Sequence, residues 1–277
     1  RRMAKICQIH ERSYITLETD EDTPPTENQV TELLEKDKSI THVLAVHCET
    51  TSGILNPISE IANAVAKAGR FLIIDAMSSF GALPLSVCNI KCAAIVASSN
   101  KCLEGVPGVG FAIVDKTILS SAEKNASSLS LDLFDQWQNF KNTGQWRFTP
   151  PTHVLAALRQ ALIEHDADGG IEGRGYRYLE NCETLIQGMK TLGFKPYLRN
   201  DLQAPIIVTF HQPRIKNFNF AEFYGRLLER GFMIYPGKIT KVDSFRIGCI
   251  GQIQKFDMKN LVEAVAGVVA EMGVKLK

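Results

Sequence analysis

A carboxylate and a lysine each follow an apolar run of the sequence, and the two could share one reactive site. Asp75 ends the run at 71–74, and Lys101 comes shortly after the run at 93–97. A carboxylate at such a place can hold a protonated ring nitrogen, and a lysine shielded from water can form a Schiff base.

Pyridoxal phosphate is a cofactor that needs both groups, because it binds as a lysine imine and relies on an acidic partner for its ring nitrogen. Each residue also has a simpler use. An aspartate at a strand end is often a turn or N-cap residue, and most lysines are solvated surface charges. Spacing alone leaves both interpretations open.

Alternating segments in the first half of the chain predict how these residues are positioned. Strands are predicted at 41–46, 71–75 and 93–97, with amphipathic helices before and after the first of them and a further apolar run, in the other direction, at 110–114. Apolar strands that alternate with helices are typical of a mostly parallel sheet covered on both faces. Ligands of such sheets bind outside the carboxyl ends of the strands.

The second half of the chain has a different pattern. Helices are predicted at 131–140, 153–165 and 170–192, then strands at 206–210, 232–235 and 244–247, and a closing helix at 257–272. Short strands mixed with helices indicate a smaller α+β unit. We therefore predict a large α/β domain over 1–192 and a small C-terminal domain over 193–277.

The composition excludes several classes of function. The 277 residues carry a net charge of +1, so no overall field attracts nucleic acid or an anionic membrane. The apolar runs are far shorter than the ~20 residues of a membrane helix. Seven scattered cysteines without a CxxC pair indicate neither a disulfide framework nor a metal site. We expect a reducing compartment, either the cytoplasm or the mitochondrial matrix.

The start of the sequence is unusual. It opens Arg1-Arg2-Met3, without an initiator methionine and without the apolar stretch of a signal peptide. Residues 3–7 have the pattern of the middle of a helix and no cap precedes them. We expect that further residues belong in front of this chain.

Several strings of the sequence resemble one known family. HCETTSG at 47–53, IDAMSSFG at 74–81 and SSNKCL at 98–103 resemble the active-site segments of the class V, fold-type I aminotransferases, and the similarity continues through 145–152 and 245–248. Within that class the strings are most similar to the transaminases of 2-aminoethylphosphonate and pyruvate. The resemblance implies pyridoxal 5'-phosphate as the cofactor, fold type I and a homodimer.

The resemblance also assigns roles around the cofactor ring. Lys101 matches the lysine that forms the imine and later carries the proton. Asp75 matches the carboxylate that keeps the ring nitrogen protonated. Thr50, or alternatively Ser52, matches the hydrogen-bond partner of the ring hydroxyl.

Further residues match phosphate and substrate contacts. Ser98 and Asn100 lie near the family's phosphate contacts, and Thr149 matches a residue that reaches the phosphate of the partner subunit. Arg246 matches the arginine that binds the substrate carboxylate, and it could equally receive a phosphonate. Without the resemblance, 149–152 is also a helix entry with Thr152 as its cap.

The expected reaction moves the amino group of 2-aminoethylphosphonate to pyruvate, giving phosphonoacetaldehyde and L-alanine. One alternative is an alanine–glyoxylate or serine–pyruvate transaminase of the same class. A second alternative is an inactive, truncated scaffold, because the family's phosphate-binding loop at a helix start cannot be located in these 277 residues.

Overall fold

The computed structural model describes residues 2–276, which form both helices and strands. The helices are α1 (Arg2–Ile9), α2 (Glu27–Lys36), α3 (Ile58–Lys67), α4 (Lys116–Ser120), α5 (Leu133–Thr143), α6 (Thr152–Ala167), α7 (Gly170–Thr191), α8 (Phe220–Glu229) and α9 (Lys255–Glu271). The strands are β1 (His42–Val46), β2 (Cys48–Glu49), β3 (Ile54–Leu55), β4 (Phe71–Asp75), β5 (Ala94–Ser98), β6 (Gly110–Val114), β7 (Ile207–His211), β8 (Tyr235–Pro236) and β9 (Ser244–Gly248).

The first half of the chain builds a four-stranded sheet in the order β1-β4-β5-β6. Strands β1, β4 and β5 run parallel and β6 runs antiparallel to β5. The predicted α/β fold with a mostly parallel sheet is confirmed. Because β1, β4 and β5 are parallel, their carboxyl ends lie at one edge, which we call the site edge.

The two faces of this sheet differ. Leu72, Ile74 and Ile95 are buried against α2 and α3. On the opposite face Leu44 is 45% exposed and Phe71 is 44% exposed. The prediction that both faces are covered is therefore wrong for residues 2–276, in which helices bury one face.

The second half builds an antiparallel sheet in the order β7-β9-β8. Helices α8 and α9 pack against it, and the C-terminal half of α7 contributes Cys182, Leu185 and Met189 to the same core. Such a sheet with helices agrees with the predicted α+β unit. The domain boundary at residue 193 stays a prediction.

The predicted strand at 232–235 is wrong, since β8 consists of Tyr235 and Pro236 alone. Phe232, at the start of the predicted strand, closes helix α8 instead. Gly231 has a φ of +84°, and the N–H of Phe232 donates to the carbonyl of Leu227 at 2.9 Å, as in a Schellman motif. Within residues 2–276 no helix has both the length and the apolar character needed to cross a bilayer.

Candidate active site

Asp75 lies at the site edge, between the ends of its two neighbouring strands. The register pairs Val46 with Asp75 and Asp75 with Val96, so the three strands end side by side. The half-buried carboxylate of Asp75 accepts the N–H of Met77 at 3.0 Å through Oδ1. Its second oxygen has no hydrogen-bond donor among residues 2–276, so it can accept a proton-bearing nitrogen.

Lys101 lies in a tight loop that leaves β5 at the same edge. We call residues 99–105 the lysine loop. The N–H of Gly105 donates to the carbonyl of Ser99 at 2.8 Å, and the Ser99 hydroxyl donates to the carbonyl of Val106 at 2.7 Å. A Cβ on Gly105 would lie 2.8 Å from that Ser99 oxygen, so the close approach requires glycine.

The side chain of Lys101 projects from this fixed loop and is exposed. In the described part of the chain its ammonium group makes no ion pair and no hydrogen bond. A lysine without a carboxylate partner is free to react with a carbonyl once water is excluded from it.

Arg246 lies inside strand β9 of the small sheet and is 6% exposed. Its Nη1 donates to the carbonyl of Thr50 at 2.7 Å and its Nε donates to the carbonyl of Pro236 at 3.1 Å. The guanidinium carbon lies 5.8 Å from the ring centre of Tyr235. Burial lowers the pKa of Arg246, yet an arginine stays charged in proteins.

No carboxylate lies within ion-pair distance of Arg246 among the described residues. A buried charge without a counter-ion is costly. The free edge of the guanidinium therefore fits the planar, bidentate binding of an anionic ligand.

The structure brings Thr50 to Arg246 through this backbone contact, and both Thr50 and Ser52 follow the end of β1. Thr50 is half-buried, whereas Ser52 is fully buried and its hydroxyl has no hydrogen-bond partner within residues 2–276. Gly53, with a φ of +94°, carries the chain past the carbonyl of Ile207, which a Cβ would approach to 2.3 Å. Of the two hydroxyls, that of Thr50 is the more accessible to a ligand.

The remaining expected site residues differ in exposure. Ser98 and Asn100 are half-buried on either side of the start of the lysine loop, whereas Thr149 is exposed before α6. No side-chain hydrogen bond within residues 2–276 joins Thr149 to the other expected site residues. The alternative use of Thr152 as a helix cap is wrong, because Pro151 occupies the N-cap position and Thr152 already belongs to the helix.

A buried polar cluster lies behind the site edge. His47 Nδ1 lies 3.0 Å from the Ser79 hydroxyl, and burial lowers the pKa of His47 to about 4. Burial raises the pKa of Cys48 to about 12, and it raises the pKa of the Cys102 thiol as well. The imidazole is therefore neutral and the thiols are protonated, so neither cysteine serves as a nucleophile.

Sequence reasoning missed one group of residues around the lysine loop. Glu104 and three side chains of α7, namely Arg174, Arg177 and Tyr178, form a buried network. Their signal was present in the sequence, because positions 174, 177 and 178 share one helical face and carry long polar side chains within the helix predicted at 170–192.

Comparisons with known proteins agree with this geometry. The family described as "Aminotransferase class-V" matches residues 5–239. A 2-aminoethylphosphonate–pyruvate transaminase of Pseudomonas putida (strain W619) is 52% identical over 273 residues, which cover 99% of this chain and 74% of that protein. A protein of Cupriavidus pinatubonensis, 2-aminoethylphosphonate–pyruvate transaminase 1, is 49% identical over 276 residues, 100% of this chain and 73% of its own length.

Solved structures match the fold. The ureidoglycine–glyoxylate aminotransferase of Bacillus subtilis has a TM-score of 0.88 at 18% identity and covers 99% of this chain and 72% of its own. The pyridoxamine–pyruvate aminotransferase of Mesorhizobium loti has a TM-score of 0.85 at 24% identity, with 94% and 67% covered. At these identities the likeness concerns the fold alone. The family match and the sequence relatives together show that the chain belongs to the class V aminotransferases.

Proposed function

We propose that this protein is a pyridoxal-phosphate-dependent transaminase that moves the amino group of 2-aminoethylphosphonate to pyruvate, giving phosphonoacetaldehyde and L-alanine. Relatives about half identical over nearly the whole chain carry that name. The single observation in the structure that carries the proposal is Arg246, a buried guanidinium without a carboxylate partner in residues 2–276. Both proposed substrates are anions that such a group can bind.

The residues at the site edge fit the chemical groups of pyridoxal phosphate. The open oxygen of Asp75 suits a protonated ring nitrogen, and the unpaired amine of Lys101 suits an aldehyde carbon. The hydroxyl of Thr50 lies on the segment that contacts Arg246. Ser98 and Asn100 offer polar side chains at the start of the lysine loop for the phosphate. When bound, the cofactor supplies an electron sink for the bond-breaking step.

In this proposal Lys101 is the group that moves the proton. Its amine would take a proton from the substrate carbon that bears nitrogen and deliver it to the cofactor carbon on the other side of that nitrogen, so it must alternate between charged and neutral forms. A loop position suits this task because no carboxylate in residues 2–276 pairs with the ammonium group and fixes its charge. The carboxylate of Asp75 would hold a positive charge at the ring nitrogen.

Arg246 orients both substrates in turn. Two of its nitrogens are fixed by the carbonyls of Thr50 and Pro236, so the directions of the remaining N–H groups are fixed as well. A phosphonate on the donor and a carboxylate on the acceptor both match this fork. One arginine can thereby bind the two substrates of the exchange at different times.

The working unit in this proposal is a homodimer. Its support is the resemblance of Thr149 to a residue that reaches the partner's phosphate, together with the exposure of that side chain. An isologous pair is the commonest arrangement of soluble homo-oligomers. A location in the cytoplasm or mitochondrial matrix stays a prediction that rests on the scattered cysteines of the sequence.

A donor screen with pyruvate as the acceptor tests the proposal. The protein is loaded with pyridoxal phosphate, and product formation is compared for 2-aminoethylphosphonate, serine and alanine, with glyoxylate replacing pyruvate for the last. We expect 2-aminoethylphosphonate to give the highest kcat/KM. A preference for serine or alanine would favour the alternative transaminases, and no turnover with any donor would favour the inactive scaffold.

A further inference from the structure

A buried carboxylate close to Lys101 joins the lysine loop to two other parts of the chain. The side chain of Glu104 is 6% exposed. Its two oxygens accept hydrogen bonds from Tyr178 Oη, from Arg177 Nη2 at 3.0 Å and from Gln252 Nε2 at 2.7 Å, and they pair with Arg174 Nη1 at 3.3 Å. Four partners for one carboxylate satisfy it fully.

These contacts hold the backbone turn that begins at Lys101. The N–H of Glu104 donates to the carbonyl of Lys101 at 2.9 Å, and Glu104 has a φ of +58°. A residue other than glycine keeps this left-handed conformation where its surroundings impose it. Arg174, which is fully buried, also donates from Nη1 to the carbonyl of Cys102 at 2.7 Å.

The same helix face binds the segment that follows β9. Arg177 Nη1 donates to the carbonyl of Gly251 at 3.0 Å, and Asn181 Nδ2 donates to the carbonyl of Cys249 at 3.1 Å. Strand β9 carries Arg246. Helix α7 therefore holds the lysine loop with one set of hydrogen bonds and the segment after β9 with another. Glu104 and Gln252 also form a direct hydrogen bond with each other.

The direction of the hydrogen bonds makes Glu104 the acceptor in every contact of its side chain. Burial, and after it the hydrogen bond to Glu104, raises the pKa of Tyr178, so the phenol keeps its proton and donates. A buried ionic network is weak evidence for stability, because apolar side chains of the same volume often stabilise a fold as well. In this protein the network fixes the position of the lysine loop.

We propose that Glu104 is a positioning residue for the transamination, one that sets the place of Lys101 relative to Arg246 without touching either substrate. The inference rests on the proposed function, since it assigns Lys101 and Arg246 their roles. It predicts that losing the Glu104 charge slows the step that Lys101 performs. Binding through Arg246 is preserved, because Thr50 and Pro236 hold that side chain independently.

The variant Glu104→Gln, with Asp168→Asn as its matched control, tests this proposal. Asp168 accepts from Arg174 Nε at 2.9 Å and Arg177 Nη2 at 3.0 Å, so its loss perturbs the same arginines while the Glu104 side chain is left unaltered. We expect E104Q to lower kcat about 10- to 100-fold, counted per cofactor-labelled site, with little change in KM for pyruvate. D168N is expected to lower kcat much less.

A second measurement does not depend on activity. Hydrogen exchange of the amides of Glu104 and Gly105, which close the lysine loop, should be faster in E104Q than in the unaltered protein or D168N. If E104Q does not fold, Tyr178→Phe removes one bond to the same carboxylate, and we expect a fall in kcat of about threefold to tenfold.

Three outcomes are separated by this design. Unaltered kcat and exchange in E104Q, or in Y178F if E104Q does not fold, overturn the inference, as do equal losses in E104Q and D168N, which would mean general support of the fold. If the unaltered protein shows no transamination of 2-aminoethylphosphonate, the proposed function fails. The exchange comparison then still decides whether Glu104 holds the lysine loop.

Discussion

Two cationic side chains of this molecule are held in opposite ways. Lys101 is exposed and unpaired in residues 2–276, on a loop whose backbone is fixed by buried hydrogen bonds. Arg246 is buried within a strand, and its charged group itself is fixed by two carbonyls. In the first case the structure holds the backbone and leaves the amine free, and in the second it holds the charge.

The difference corresponds to two chemical tasks. A group that transfers protons must change its bonds during the reaction, so a permanent partner would oppose it. A group that orients an anion works best when its direction is set beforehand, because little freedom is then lost on binding. The site edge of the large sheet is therefore suited to proton transfer, and the small sheet is suited to binding the anionic substrate.

Of the changes that test this comparison, loss of the Lys101 amine is expected to have the largest effect on turnover. Lys101→Ala should abolish turnover with every donor, because no other described side chain is placed to move the proton. Product formation under saturating cofactor and substrates measures this. Lys91 is an exposed lysine shortly before strand β5, which Lys101 follows. Lys91→Ala is therefore the control and should retain activity. Turnover in K101A would mean that the site edge is not the reactive region.

Loss of the carboxylate charge at the site edge should come next. Asp75→Asn keeps the shape of the side chain but removes the negative charge that stabilises a protonated ring nitrogen. We expect kcat to fall by about 100-fold or more, the magnitude typical of a preorganised electrostatic contact. Asp115→Asn, which alters the cap of helix α4, is the control. Steady-state kinetics with full activity in D75N would contradict the role.

Substitution of Arg246 is expected to have a smaller effect on activity. Arg246→Lys keeps the charge but loses the planar fork, so kcat/KM should fall by about 30-fold, which corresponds to about 2 kcal/mol of charged hydrogen bonding. The loss should appear mainly in KM, whereas the losses in K101A and D75N should appear in kcat.

Thr209→Val is the matched control for this variant. Thr209 pairs with Arg246 across the small sheet, and its hydroxyl donates to the carbonyl of Thr51 at 3.3 Å. Removing that hydroxyl disturbs the same strands without changing a charge. An equal rise of KM in T209V and R246K would break the distinction between the two regions.

The acid stability of the protein should depend on His47. Its pKa in the folded state is about 4, below the ordinary value of 6.5. Its neutral form therefore stabilises the fold above pH 6.5, and this contribution is lost as the pH falls through 4. Urea unfolding across this range should show a fall of up to about 3 kcal/mol in the unfolding free energy.

His47→Gln should flatten that pH dependence, and His153→Gln, at an exposed position, should leave it as it was. An unchanged slope in H47Q would assign the acid sensitivity to other groups.

The sequence alone predicted the elements that depend on local patterns. Strands β1, β4 and β5 followed from apolar runs. The places of Asp75 and Lys101 at strand ends left simpler uses open, and the resemblance to the aminotransferases favoured their roles in the site. The strand at 232–235 was wrong because a glycine turn after α8 determines the path of the chain. An apolar pattern does not distinguish a residue that closes a helix from one that extends a strand.

Contacts between distant residues were not predictable in the same way. Thr50 and Arg246 are 196 positions apart, and Glu104 and Tyr178 are 74 positions apart. A single sequence does not show whether a basic residue is buried or exposed, because burial depends on which residues the fold places around it. The open face of the large sheet was missed for the same reason.

Borohydride reduction of the cofactor-loaded protein tests the central claim most directly. Reduction fixes the cofactor to the lysine that binds it, and mass spectrometry of the peptides then locates the label. We predict one label per chain, on Lys101 and on no other lysine. A label on a different lysine, or none at saturating cofactor, would contradict the assignment of the reactive site to the site edge.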